Sequence, residues 1–213
     1  MKTFRAFTMI ELIFIIVVVG ILAAVAIPRV ERNGLIEAAD QLAAHIRYTQ
    51  QLAMGDNKFS ATDPNWHRKL WRIQFLGTRY SVWSDNNFNS TPNANEYAVD
   101  PMNPAKLLTS AGNGTTTTQQ NKKLDLGATY SIANIALSGG CNNFNYIAFD
   151  LKGRPMAINR DQLYRNLYTT ACIITLTNEA GETAQIFVQP ETGYVGATAA
   201  QNPNGDILYT LNN

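Results

Sequence analysis

Residues 4–29 read FRAFTMIELIFIIVVVGILAAVAIPR, an apolar run that contains one acidic residue, Glu11. Between residues 7 and 27 the polar side chains are Thr8 and Glu11 alone. As a helix, such a run is about 30 Å long, which is the thickness of the hydrocarbon layer of a bilayer. The sequence therefore predicts a transmembrane helix, in which a carboxylate is costly enough to indicate a function.

The charges beside this run predict its orientation. Lys2 and Arg5 precede it, and the positive-inside rule keeps such residues in the cytoplasm. We expect a single-pass protein of the inner membrane, with its N-terminus in the cytoplasm and its globular domain in the periplasm. Two other interpretations stay open at this point. One is a plain anchor, and the other is a secretory signal cut after Ala26, where the residues AVA give the small-residue spacing that signal peptidase prefers.

The same residues resemble the class III signal of type IV pilins and type II secretion pseudopilins, in which a short basic leader is followed by Phe-Thr-x-x-Glu and an apolar helix. The resemblance implies that residues 1–6 are a leader and that prepilin peptidase cuts between Ala6 and Phe7, after which Phe7 is N-methylated. Ala6 stands where the family usually has glycine. Pro28 lies where many pilins have a proline that kinks the helix, because proline removes a backbone donor.

The resemblance gives Glu11 a role in filament assembly. When apolar helices from many copies pack together, the carboxylate of Glu11 and the new amino group of Phe7 on a neighbouring copy neutralise each other. Each charge would be costly if it were buried alone. We expect this pair to set the axial position of an incoming subunit.

Apolar residues continue at intervals of three and four through residues 29–55, which is the period of an amphipathic helix. Gly55 gives a plausible end to that helix. The sequence thus predicts an α+β, pilin-like fold. One long N-terminal helix, with its first half transmembrane at residues 7–28, would pack through residues 29–55 on an antiparallel β-domain at residues 56–213.

Short β-like runs with period-two alternation follow the helix. LWRIQF and YSVWS, at residues 70–75 and 80–84, predict a hairpin that turns at Gly77. KLDLGATYSI also has the composition of a strand, and a second hairpin is predicted around Gly181. YIAFDLKGRP, IITL, AQIFV and PETGYV together resemble the C-terminal β-domain of the H-type (FimT-like) minor pseudopilins.

The composition between residues 85 and 120 is rich in Asn, Ser, Thr, Pro and Gly, so we expect a long polar loop on the surface. Four of its side chains carry oxygen ligands of the kind that calcium prefers, but their spacing matches no known loop motif. The alternative is that these residues are simply solvated. They are Asp85, Asn87, Glu96 and Asp100.

Two cysteines, Cys141 and Cys172, form no CxxC pair, which disfavours a zinc site or a thioredoxin-like redox pair. They are either two free buried thiols or one disulfide. The periplasmic setting that the resemblance implies favours the disulfide.

No catalytic motif is found, so we expect neither an enzyme nor a cofactor or metal. The run NWHRKLWRI places Arg68, Lys69 and Arg72 among tryptophans, which is one way to bind nucleic acid. The formal net charge of the chain is only +1, so nucleic acid is an unlikely partner. A strand with its aromatic side chains inward and its cations outward explains this run more simply.

The sequence and the resemblance together predict a minor pilin or pseudopilin subunit that assembles into a type II secretion pseudopilus or a type IV pilus. The implied partners are the membrane, prepilin peptidase, other pilin or pseudopilin subunits and an inner-membrane assembly platform. Two alternatives stay open. One is a DNA-binding minor pilin for DNA uptake, and the other is an exported soluble binding protein cut after Ala26.

Overall fold

The structure is a computed structural model, and it describes residues 8–26, 34–158, 166–197, 200–201, 203–204 and 207–209. The chain divides into two compact units, Met1–Arg32 and Asn33–Asn213. The described part of the first unit is residue Thr8 and helix α1, Met9–Ala26. The second unit contains helix α2, Gly34–Gly55, the short helix α3, Leu126–Tyr130, and all the described strands.

The N-terminal helix differs from the one predicted. Where one helix was expected from Phe7 to about Met54, the described residues form α1 in one unit and α2 in the other. None of the helices in the described ranges combines the length and the apolar character needed to span a membrane. The predicted fold class and the predicted single-pass location in the inner membrane are therefore wrong.

Twelve strands are described in the second unit. In chain order they are β1 Arg72–Leu76, β2 Arg79–Trp83, β3 Val99–Asp100, β4 Asn103–Leu107, β5 Ile132–Gly139, β6 Tyr146–Phe149, β7 Pro155–Met156, β8 Cys172–Asn178, β9 Thr183–Val188, β10 Val195–Ala197, β11 Ala200–Gln201 and β12 Ile207–Tyr209. They form a four-stranded sheet in the order β2-β1-β6-β7 and a six-stranded sheet in the order β12-β11-β9-β8-β5, with β10 also paired to β9. A two-stranded sheet joins β3 and β4. All the strand pairs are antiparallel.

Helix α2 is amphipathic and supplies one wall of the core. Its buried residues recur at intervals of three and four, as a helix with one apolar face requires. That face packs against strands of both large sheets, and the resulting cluster includes Leu42, Ile73 and Ile186, all fully buried. The predicted end of the helix at Gly55 is confirmed.

Both predicted hairpins are confirmed. Strands β1 and β2 pair from Arg72↔Trp83 to Leu76↔Arg79, and Gly77 in the turn has φ +61°, a conformation that glycine adopts without steric cost. Strands β8 and β9 pair around the turn at Gly181. Alternation and turn residues were sufficient to find these pairs.

Two other segments differ from their predictions. In KLDLGATYSI, residues before Ile132 form a 3-10 helix, Lys122–Leu124, and helix α3 rather than a strand. Residues 85–120, predicted to be a surface loop, contain β3, β4 and a 3-10 helix at Ala94–Glu96. This segment also buries charged and apolar side chains, as described below.

Candidate functional site

The first turn of α1 contains Glu11, the acidic residue that the sequence singled out. Thr8 precedes the helix, and its Oγ1 accepts a hydrogen bond from the backbone N–H of Glu11 at 3.3 Å. The pair Thr8-x-x-Glu11 has the form of a capping box, in which a threonine and a glutamate satisfy the free N–H groups at a helix start. The exposed carboxylate also lies at the positive end of the helix dipole. Glu11 therefore has a stabilising position within its own helix.

The surface of α1 is apolar on every side. Its large apolar side chains between residues 9 and 21 are mostly more than half exposed, and Met9 is the most exposed of them at 83%, whereas Val18 is only partly exposed. A helix that is apolar all round is stable only when other apolar groups cover it. The helix is therefore suited to pack against other helices.

Three of the predicted processing and helix residues cannot be placed. Ala6 and Phe7, on either side of the predicted cut, and Pro28, at the predicted kink, lie outside the described residues.

The predicted nucleic-acid contacts Arg68 and Lys69 are engaged within the chain. The Nζ of Lys69 is 2.9 Å from the carboxylate of Asp63 and 4.7 Å from the centre of the Phe88 ring. The guanidinium of Arg68 lies 5.1 Å from the same ring, and its Nη2 donates to the Phe88 carbonyl at 3.2 Å. Both cations, which belong to the 3-10 helix Trp66–Lys69, therefore contact the segment that contains Phe88.

The third predicted contact, Arg72, is buried. It is only 7% exposed, its guanidinium lies 4.4 Å from the centre of the Trp83 ring, and it donates to the carbonyl oxygen of Arg68. Burial lowers the pKa of Arg72 to about 10, although the carboxylate of Asp85 partly opposes that effect. The expectation that the cations of this run point outward is therefore wrong at Arg72.

A polar cavity of about 180 Å³ adjoins Arg72. Arg68, Gln74, Asp85 and Tyr146 are among its lining residues. The Nε of Arg72 and the Oδ1 of Asp85 have no hydrogen-bond partner among the residues that the structure describes. The cavity thus holds one buried cation and one buried carboxylate, whose attraction offsets part of the cost of burying each.

Two of the carboxylates that were considered as calcium ligands, Glu96 and Asp100, accept hydrogen bonds from other residues of the chain. The oxygens of Glu96 accept from the backbone N–H groups of Asn86 at 2.8 Å, Asn87 at 3.2 Å and Asn93 at 2.9 Å. Asp100 accepts from the N–H of Met102 and from the side chain of Asn121. No group of three or more His, Cys, Asp or Glu residues that could hold a metal ion is found among the described residues. Glu96 and Asp100 fix the conformation of the polar segment.

A partly buried hydrogen-bonded network joins α2 to β2. Nε2 of Gln41 donates to the Tyr80 hydroxyl at 2.8 Å, and Tyr130 donates to Oε1 of Gln41 at 2.8 Å. The Tyr80 oxygen also lies 2.7 Å from Nδ1 of His45. Because that oxygen already accepts from Gln41, its own proton is free to bond the neutral His45 ring. Burial lowers the pKa of His45, and the charge of Asp100 opposes this shift.

We expect the free energy of unfolding to fall as the pH drops below about 6.5. The unfolded chain binds a proton on His45 near its ordinary pKa of 6.5, whereas the folded chain resists it to a lower pH. The stabilisation is therefore complete above 6.5 and is lost as the pH falls toward the folded pKa. Urea titrations from pH 7 to pH 5 check this, since His45→Gln should lose less stability over that range than the wild type. Equal losses would contradict it.

A second network links α2 to two distant turns. Nε2 of Gln50 donates to the carbonyl of Gly153 at 2.8 Å and to that of Thr192 at 3.1 Å. Gly153 and Gly193 both have positive φ, +75° and +64°. A Cβ on Gly193 would overlap the Gly153 carbonyl and the Gln50 amide. These are the turns of DLKGRP and PETGYV, the residues that carried the second resemblance.

The two cysteines are joined. Cys141, just after β5, and Cys172, at the start of β8, form a disulfide with an S–S distance of 2.00 Å, and both are fully buried. The bond ties the ends of two neighbouring strands in the six-stranded sheet.

Comparisons with known proteins give no relative for this chain. No protein-family model, no curated protein and no solved structure matches it. The function is therefore argued from the residues and geometry above.

Proposed function

We propose that this protein is a minor pilin or pseudopilin subunit. Prepilin peptidase cuts it between Ala6 and Phe7, and α1 then assembles it into a type IV pilus or a type II secretion pseudopilus. The observation that carries the proposal is α1 itself, an apolar helix whose large side chains between residues 9 and 21 are mostly exposed, with a single acidic residue, Glu11, in its first turn. The role is structural rather than catalytic.

In the filament, copies of α1 cover one another. Packing buries the exposed side chains between residues 9 and 21, and each fully buried large apolar side chain contributes about 1.5 to 3 kcal/mol. The carboxylate of Glu11 then loses its solvent. The amino group of Phe7 on a neighbouring copy supplies the charge that Glu11 needs, so correct register is favoured over any shifted arrangement.

The contacts of the three cations in the run NWHRKLWRI disfavour the alternative function, DNA binding. Lys69 is paired with Asp63, Arg68 is held at Phe88, and Arg72 is buried against Trp83. A phosphate-binding surface needs cations that are free to meet a ligand.

Charge removal at Glu11 tests the proposal. We expect Glu11→Gln and Glu11→Ala each to lower incorporation into filaments at least about tenfold, because breaking a buried charge pair costs several kcal/mol. The measurement is the amount of each variant in sheared filaments, relative to total cellular protein, in a strain that lacks the wild-type gene. Glutamine keeps the length and hydrogen-bonding capacity needed for the helix cap.

Thr8→Ala is the matched control, because it removes the observed cap and leaves the carboxylate. We expect it to assemble nearly as well as the wild type. If Glu11→Gln assembled normally while Thr8→Ala and Glu11→Ala failed alike, Glu11 would be a helix cap and no more.

Mass spectrometry of each mature protein should find a methylated Phe7 at the N-terminus, and a start at Ile27 would contradict the proposed processing.

A further inference from the structure

Strand β5 lies at one edge of the six-stranded sheet. One side of it pairs with β8 from Ile132↔Asn178 to Gly139↔Cys172, with an irregularity between Ile132 and Asn134. No described strand pairs with its other side. Between residues 133 and 138, none of the described backbone hydrogen bonds joins β5 to any element but β8. Among the described residues, the outer edge therefore presents N–H and C=O groups without a backbone partner over about six residues.

Over most of its length, this edge lacks the charged residues and prolines that commonly prevent pairing with another chain. Natural edge strands are commonly guarded by lysine, proline or other charged residues. From Ser131 to Phe149 the sequence contains no charged residue and no proline. The irregularity lies at the N-terminal end of β5 only, so the rest of the strand is free to accept a partner.

The side chains of β5 also leave part of the core uncovered. Ile135 and Leu137 pack against the main hydrophobic cluster and remain half-buried. Asn134, Ala136 and Ser138 are exposed. One more strand beside β5 would cover the two apolar side chains on the core side of the sheet.

The residues of β5 are complementary to themselves. When two copies run antiparallel with Ala136 opposite Ala136, Ile135 faces Leu137 of the other copy, and Asn134 faces Ser138. Apolar residues then meet apolar residues, polar residues meet polar ones, and the smallest meet at the twofold axis. Cross-strand pairs of this kind stabilise a sheet, and a twofold interface requires one surface to match itself.

We propose that β5 is a homodimerisation edge, through which two copies of this chain join their six-stranded sheets into one continuous antiparallel sheet. The occupant is thus a second copy of the same strand, centred on Ala136. This inference is independent of the proposed assembly through α1, which uses the other unit of the chain.

Cysteine cross-linking of the full-length chain tests the register. In the proposed pair, the two Ala136 Cα atoms are about 4.5 to 5.5 Å apart, within the range of a disulfide. We expect Ala136→Cys to form a covalent dimer under mild oxidation, with the 136–136 peptide identified by mass spectrometry. In Asn134→Cys the two cysteines would be about 14 Å apart along the strands, so little cross-link is expected. Equal cross-linking of both variants, or none at position 136, would overturn the proposal.

A charge at the axis gives a second test that needs no oxidation. Ala136→Lys places two like charges opposite each other in the proposed pair. The molecular mass of the native protein in solution should therefore change from that of a dimer to that of a monomer. Ala136 is exposed, so the fold should persist, and circular dichroism checks this. Ala180→Lys, in the exposed turn between β8 and β9, should leave the dimer intact. A dimer that survives Ala136→Lys would contradict the proposal. Larger assemblies that form through α1 are distinguished from this dimer because they would not produce the 136–136 cross-link.

Discussion

Replacing Gly193 by alanine is expected to lower the free energy of unfolding by about 2 to 5 kcal/mol. Two effects add. Gly193 has φ +64°, which costs a residue with a Cβ about 1 to 2 kcal/mol. The new Cβ would also overlap the Gly153 carbonyl and the Gln50 amide, and forced overpacking of this kind costs about 1 to 3 kcal/mol more. Urea denaturation of the purified variant measures the sum.

Gly77→Ala is the matched control for the backbone effect. Gly77 has φ +61°, close to the value at Gly193, but a Cβ there meets no atom within 4 Å. We expect this variant to lose about 1 to 2 kcal/mol. If both variants lost the same amount, the close approach of the two turns at Gln50 would have no energetic weight.

Loss of the Cys141–Cys172 disulfide is expected to cost about 3 to 4 kcal/mol. The bond spans 31 residues of sequence, and closing a loop of that length restricts the unfolded chain by about this amount in the chain-entropy treatment. The double variant Cys141→Ala with Cys172→Ala should melt roughly 10 °C lower than the wild type. Calorimetry of both proteins under oxidising conditions checks this.

The reduced wild type separates the cross-link from the side chains. Reductant breaks the bond but keeps both sulfur atoms in the core, so its melting temperature should fall nearly to that of the double variant. If reductant lowered it only slightly while the double variant fell far, the loss would come from packing at these two buried sites and not from the cross-link.

The sequence was most informative where local pattern and turn chemistry agree. Strands β1 and β2 alternate about Gly77, and β8 and β9 about Gly181, so the sequence alone predicts both hairpins. The amphipathic stripe of α2 and its end at Gly55 were found in the same way. In these segments one period of apolar residues points to one buried face.

Prediction failed where a side chain sets the local conformation. Residues 122–130 have the composition of a strand, but Asn121 caps the 3-10 helix through Lys123 N, and Asp125 caps α3 through Ala128 N. The burial of Arg72 against Trp83 was also missed. Alternation places Arg72 on the polar face of β1, but residues distant in sequence, such as Asn145 and Tyr146, line the same cavity as Arg72 in the folded chain.

The candidate assembly site was found only in part. Glu11 stood out because it is the one charge in an apolar run, but the cap that Thr8 gives it was overlooked. Threonine three residues before a glutamate, ahead of an apolar run, was the available signal. The prediction of one continuous transmembrane helix was wrong for a different reason. Apolar residues occur both before and after residues 27–33, so the pattern predicted one helix, whereas the described residues form two.

Helix α2 is synthesised well before some of the residues that it contacts in the folded chain. Arg47 of helix α2 donates to the carbonyl of Val195, 148 residues later in the chain, and Gln50 bonds Thr192, 142 residues later. At a translation rate of about 5 to 20 residues per second, those partners emerge roughly 7 to 30 seconds after α2 does. Throughout that interval the newly made helix has an apolar face without its native cover.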